Sequence, residues 1–99
     1  MISSTKNDQV KMVVELRKKA KARNEAGLFV AEGLRMVSEL PPDRAWRLYV
    51  SESFLKNREN AGLLERFSRY EIVTDQVFSA MSDTQTPQGI LALAKPVSY

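Results

Sequence analysis

Apolar positions along the chain switch several times between a helical and an alternating rhythm. At about 100° per residue, Val10, Val13, Val14, Leu16 and Ala20 fall on one side of a helix, with Lys11, Glu15, Lys18 and Lys19 opposite. Asn7 can cap this helix and Asp8 suits its first turn. The pattern predicts helix to about Asn24, with Gly27 as the stop. Leu28-Phe29-Val30-Ala31 predicts a strand, Glu32-Gly33 a turn, and residues 34–40 a helix that Pro41 and Pro42 cannot continue. Trp46, Leu48 and Val50 alternate with Arg47 and Tyr49 as a second strand, after which Ser51 offers an N-cap.

Helical segments are predicted around residues 52–57 and 61–69, where Leu63, Leu64 and Phe67 supply one buried face. Tyr70, Ile72 and Thr74 against Glu71 and Val73 read as a third strand. Thr74 or Asp75 then caps a short helix carrying Val77, Phe78 and Met81. Residues 82–89 form a polar loop punctuated by Pro87 and Gly89, and Ile90-Leu91-Ala92-Leu93-Ala94 is the last strand. Strands alternating with helices imply βαβ connections. The expected fold class is therefore α/β, with a mostly parallel mixed sheet of about four strands and helices on both faces.

With 99 residues, one core is expected, since two would each approach the size at which burial barely offsets chain entropy. An apolar share of 43% against 27% charged is too apolar and too mixed in charge for a disordered tail. The absence of cysteine excludes disulfides, thiol catalysis and thiolate metal sites; the absence of histidine removes the commonest general base and metal ligand. No carboxylate pair shows spacing suited to acid/base work, so no catalytic residue and no metal site are assigned. The start, Met1-Ile2-Ser3-Ser4-Thr5-Lys6, has no apolar run behind a basic segment, and no stretch of about 18 apolar residues follows. A cytoplasmic location is expected.

The net charge of +3 matters less than where it lies. Residues 1–26 carry seven Lys/Arg against three Asp/Glu, and residues 27–99 eight against nine. Lys6, Lys11, Arg17, Lys18, Lys19, Lys21 and Arg23 make the opening segment basic, a row suited to phosphates through counterion release. The alternative is a solvated helix face in which Glu15 pairs with Lys11 or Lys19. Glu32-Gly33 lets the backbone turn tightly or approach a ligand, and the polar loop offers hydroxyls and amides that could read unpaired base edges; each is equally a plain structural turn. Trp46, Tyr49 and Tyr70 could stack on bases, although Trp46 and Phe29 lie within strand patterns that predict burial.

Three motifs occur in one order: Ile2-Ser3-Ser4-Thr5-Lys6-Asn7 with Val10-Lys11, then Gly27-Leu28-Phe29-Val30-Ala31-Glu32-Gly33, then Thr86-Pro87-Gln88-Gly89-Ile90. In these the chain resembles, from about Ile2 to Ala94, the N-terminal substrate-binding domain of SpoU/TrmH-like RNA 2′-O-ribose methyltransferases of the SPOUT superfamily. The resemblance implies an L30e/L7Ae-like three-layer α/β/α sandwich. It implies RNA, ribosomal RNA above all, as partner, with S-adenosylmethionine bound and the methyl transfer carried out by a knotted C-terminal domain absent from this sequence. It places residues 1–95 as the RNA-binding domain and 96–99 at the start of a linker, with a monomeric fragment and a homodimeric parent. RNA-facing roles carry over to Ser4, Lys6, Asn7, Lys11, Arg23, Glu32, Gly33, Arg35, Thr86 and Gln88, and the basic face adds Lys18 and Lys19. One departure is Asp8, where the family often has proline after the capping residue. Two other readings stay open: a stand-alone L7Ae-type RNA-binding protein, and a protein-interaction domain that touches no RNA.

Overall fold

A strand apolar at every position has no solvent face, so it belongs in the middle of a sheet covered on both sides. Ile90–Ala94 is such a strand, buried along its whole length. The computed structural model describes residues 1–96 and places this strand, β4, inside a four-stranded sheet of order β1-β4-β2-β3. The others are β1 (Phe29–Glu32), β2 (Ala45–Ser51) and β3 (Glu71–Val73). The helices are α1 (Asp8–Lys18), α2 (Ala20–Ala26), α3 (Leu34–Glu39), α4 (Glu52–Lys56), α5 (Ala61–Leu64) and α6 (Asp75–Met81). No helix of the described residues is long and apolar enough to cross a membrane. Of the expected linker, 96–99, all but Pro96 lies outside the described residues.

Side chains alternate across the sheet, and the two faces build two cores. Leu91, Leu93 and Tyr49 meet Val10, Val13, Leu16, Val77, Phe78 and Met81 from α1 and α6. Ile90, Ala92, Leu48 and Val50 meet Val37, Phe54, Leu64 and Phe67 on the other side, with α3, α4 and α5. The α/β fold class and the three-layer sandwich are thus as expected. Caps at Asn7, Ser51 and Thr74 start α1, α4 and α6, each side chain accepting a backbone N–H of its first turn. The Tyr49 hydroxyl donates to Gln9 Oε1 at 2.8 Å and ties α1 to the sheet.

The mostly parallel sheet needs correction in its pairings. β1, β2 and β3 run the same way, but β4 inserts between β1 and β2 against the direction of both, so only β2–β3 is a parallel pair. A helix between two strands permits a parallel neighbour without requiring one, because consecutive strands need not be adjacent. Ile2 adds a one-residue parallel bridge to Val73 outside β3, donating its N–H to the Ile72 carbonyl at 2.8 Å.

The opening helix is also shorter than expected. It breaks at Lys19, whose extended backbone (φ −121°, ψ 116°) separates α1 from α2. The Arg23 guanidinium folds back from α2 and donates to the Leu16 and Arg17 carbonyls at 2.8 and 3.1 Å, satisfying acceptors that the break leaves unpaired. The helix expected over 61–69 stops at Leu64, since Arg66 reaches the Ser38 carbonyl at 2.8 Å and Phe67 turns into the core. Trp46, expected inside, is 41% exposed, whereas Tyr49 is fully buried and has no face to offer a ligand.

Candidate functional site

One end of the sheet gathers the C-terminal ends of β1, β2 and β3 with the 82–89 loop that feeds β4. Glu32, the last residue of β1, is the organising group: its carboxylate accepts the Ser82 hydroxyl and, at 3.2 Å, the Asp83 N–H. With the Ser82 hydrogen committed to Glu32, the Ser82 oxygen accepts from the Thr84 N–H and hydroxyl, each at 3.1 Å. Asp83 then bridges outward to Arg17 on α1, Oδ1 to Nη1 at 3.1 Å. The end of the basic helix and the start of the polar loop are thereby locked together. Between them runs a groove of about 420 Å³ lined by Arg17, Arg23, Phe29, Glu32 and Thr84. The buried Arg17 Nε has no hydrogen-bond partner among the described residues.

The rest of the loop closes on the two glycine turns. Gly33 has φ +96°, and a Cβ there would stand 2.9 Å from Gln88 Oε1. That oxygen accepts the Leu34 N–H at 2.8 Å, so Gln88 serves as the missing cap of α3. Gly89, also at φ +96°, sits against the Ser51 hydroxyl and Phe54 Cβ, which leaves no room for a side chain. Nearby, Asp75 accepts the Ser53 N–H at 3.0 Å and the Ser53 hydroxyl. Those side-chain and backbone hydrogen bonds from Ser53 hold the Asp75 carboxyl below its usual range.

The predicted site residues separate into two groups. Asn7 caps α1, Ser4 Oγ accepts the Lys6 N–H, Lys19 pairs with Glu15 at 3.2 Å, and Arg35 pairs with Glu39 at 3.5 Å. Arg23, Glu32, Gly33 and Gln88 are committed as described. Lys6, Lys11, Lys18 and Thr86 are exposed and make no side-chain hydrogen bond or ion pair among the described residues. Lys11 and Lys18, seven positions apart, lie about 20° from each other around the axis and about 10 Å along it. Ser4, Lys6 and Asn7 stand at the opposite end of α1, about 16 Å from Lys18 along the axis. Arg35 lies in the other helical layer. Arg17, Ser82 and Asp83, which join the two regions, were not among the residues assigned. An acid and a base 66 positions apart carry no local signal of their meeting.

A sequence model described as the MRM3-like substrate binding domain matches residues 7–92. No curated protein matches the sequence. Among solved structures, an RNA 2′-O ribose methyltransferase superposes with a TM-score of 0.76 at 24% identity, over 95% of this chain and 36% of that one. An rRNA methyltransferase from Sinorhizobium meliloti gives 0.69 at 23% identity, over 99% and 37%. The SpoU methyltransferase AviRb from Streptomyces viridochromogenes, in complex with the cofactor AdoMet, gives 0.66 at 17% identity, over 93% and 37%. At these identities the likeness establishes the fold, and the chain spans little more than a third of each of these structures.

Proposed function

The chain belongs to the MRM3-like substrate binding domain family, and from that membership we propose that it recognises RNA for a ribosomal RNA 2′-O-ribose methyltransferase. In this reading the parent is a cytoplasmic homodimer whose catalytic centre and S-adenosylmethionine site lie outside these residues. Neither positive-φ glycine turn near the polar loop leaves room for that cofactor. Gln88 faces the backbone at Gly33, and Ser51 and Phe54 face Gly89, so neither turn keeps a cradle for a ligand. The chain's part in methyl transfer is then positional: holding the RNA so that one ribose hydroxyl stays in line with a donor bound elsewhere.

The observation that supports the reading is the Arg17–Asp83 bridge, which ties the C-terminal end of the basic helix to the start of the polar loop. Lys11 and Lys18 supply phosphate contacts, and Thr86 at the loop tip supplies a polar contact to the RNA. Glu32 repels phosphate and contributes by holding the loop.

Lys11→Glu with Lys18→Glu tests this, using anisotropy of a labelled ribosomal RNA fragment at two salt concentrations. Losing two phosphate contacts should weaken binding and flatten the dependence of log K on log salt by between about one and two units. Unchanged affinity and slope would refute the reading and leave a domain that packs on protein.

A further inference from the structure

The opposite end of the sheet carries a second feature. Between Ala45 and Arg47 the register of β2 against β4 shifts: Ala45 faces Ala94 while Arg47 faces Leu93, leaving Trp46 as the extra residue of a bulge. Bulges re-aim side chains, and here the result is a tryptophan 41% exposed within a strand whose later residues are buried. Arg47 lies over its ring, 4.5 Å from guanidinium carbon to centroid. Beside them opens a cleft of about 200 Å³ that Arg69 and Tyr70 also line, with Tyr70 37% exposed. Its charged lining residues are Arg47, Arg69 and Glu71, an excess of one positive charge.

Two partly exposed aromatic rings share one cleft whose charge is positive in sum, a combination that suits an occupant with a flat face and a negative group. An apolar protein segment would desolvate two guanidinium groups with a single carboxylate to balance them. A nucleotide matches each element: its base has a face for an indole or phenol ring, and its phosphate suits Arg69. We propose that the Trp46–Tyr70 cleft is a second RNA contact, taking one unpaired nucleotide by stacking, at the far end of the sheet from the Glu32 turn. This deepens the RNA reading and rests on it. It gives the domain a means of selecting single-stranded over paired RNA that lysine–phosphate contacts lack.

The chain has one tryptophan, so its fluorescence reports this cleft alone. A short, unstructured, end-labelled RNA oligomer and a duplex of the same composition are titrated while Trp46 emission and RNA anisotropy are followed together. The oligomer should quench Trp46 and the duplex should not. Trp46→Ala should weaken oligomer binding about 5- to 150-fold, from the usual worth of a base stack, with Trp46→Phe retaining much of the affinity and the duplex unaffected.

Oligomer binding by anisotropy with unchanged emission and unchanged Trp46→Ala affinity overturns the cleft while leaving the Lys11–Lys18 surface standing. Binding of neither RNA overturns both. Blue-shifted Trp46 emission shielded from acrylamide in the free chain means that polypeptide fills the cleft, which overturns the proposal in favour of a protein contact. The wild-type titration decides without reliance on a variant's folding.

Discussion

Replacing Glu32 by alanine removes the acceptor for two donors at once, the Ser82 hydroxyl and the Asp83 N–H. A hydrogen bond to an ionised group contributes about 1.5–3 kcal/mol when shielded. Ser82 is only 8% exposed and belongs near that range, whereas water can replace the carboxylate at the exposed Asp83 amide, which leaves that bond under about 1 kcal/mol. The expected loss for Glu32→Ala is about 2 kcal/mol. At roughly 4–8 °C per kcal/mol for a domain of this size, that lowers Tm by about 8–16 °C. Glu32→Gln keeps the shape and one oxygen but loses the charge, so it should fall about half as far. Urea unfolding reads both as a shift of midpoint at constant slope, and amide exchange should quicken first at Asp83 and Thr84. If both variants stay within about 0.5 kcal/mol of the parent and those amides exchange no faster, the carboxylate does not hold the loop. Its role would then be toward a ligand.

Arg23→Ala should cost about 1–2 kcal/mol and speed exchange throughout Ala20–Ala26, because it strips the Leu16 and Arg17 carbonyls of their donor; urea denaturation with exchange measures both. Gly89→Ala combines φ +96° with a side chain driven against Ser51 and Phe54, and should lower stability by at least about 2 kcal/mol in the same assay. Asp75 titrates below its unfolded value, so its contribution is present above about pH 4 and is lost as pH falls through the folded value. Asp75→Asn should flatten the acid limb of a Tm-against-pH curve and leave the curve's shape above about pH 5 unchanged.

What the sequence made legible was local. The four strands, most of the helices and the caps at Asn7, Ser51 and Thr74 follow from periodicity and from short-range side-chain-to-backbone bonds, which neighbouring residues determine. The break at Lys19 was hidden because what offsets it, the Arg23 guanidinium turning back to the Leu16 and Arg17 carbonyls, is a contact with no propensity signature. Trp46 was misread because a bulge is a property of two paired strands: alternation in β2 alone placed the ring inside, and the shift against β4 put it out. Among the candidate residues, charge alone could not separate Lys11 and Lys18, which make no ion pair among the described residues, from Lys19, whose partner Glu15 lies one helical turn away.

The direction of β4 explains why the loop residues reach the turn at all. Hydrophobic periodicity is unchanged when a strand is reversed, and Ile90–Ala94 is apolar throughout, so nothing in its pattern marks which end enters the sheet. Since β1, β2 and β3 all run one way, α6 begins at their C-terminal end, and an antiparallel β4 also begins there. Residues 82–89 therefore never leave that end, and within their eight positions they can satisfy Glu32, cap α3 through Gln88 and meet Arg17. A parallel β4 would have to start beside Trp46, about 16 Å away at 3.3 Å per residue, and the loop would be spent crossing the sheet. Glu32-Gly33 and Thr86-Pro87-Gln88-Gly89 lie more than fifty positions apart in the chain and share a surface because one strand is inverted.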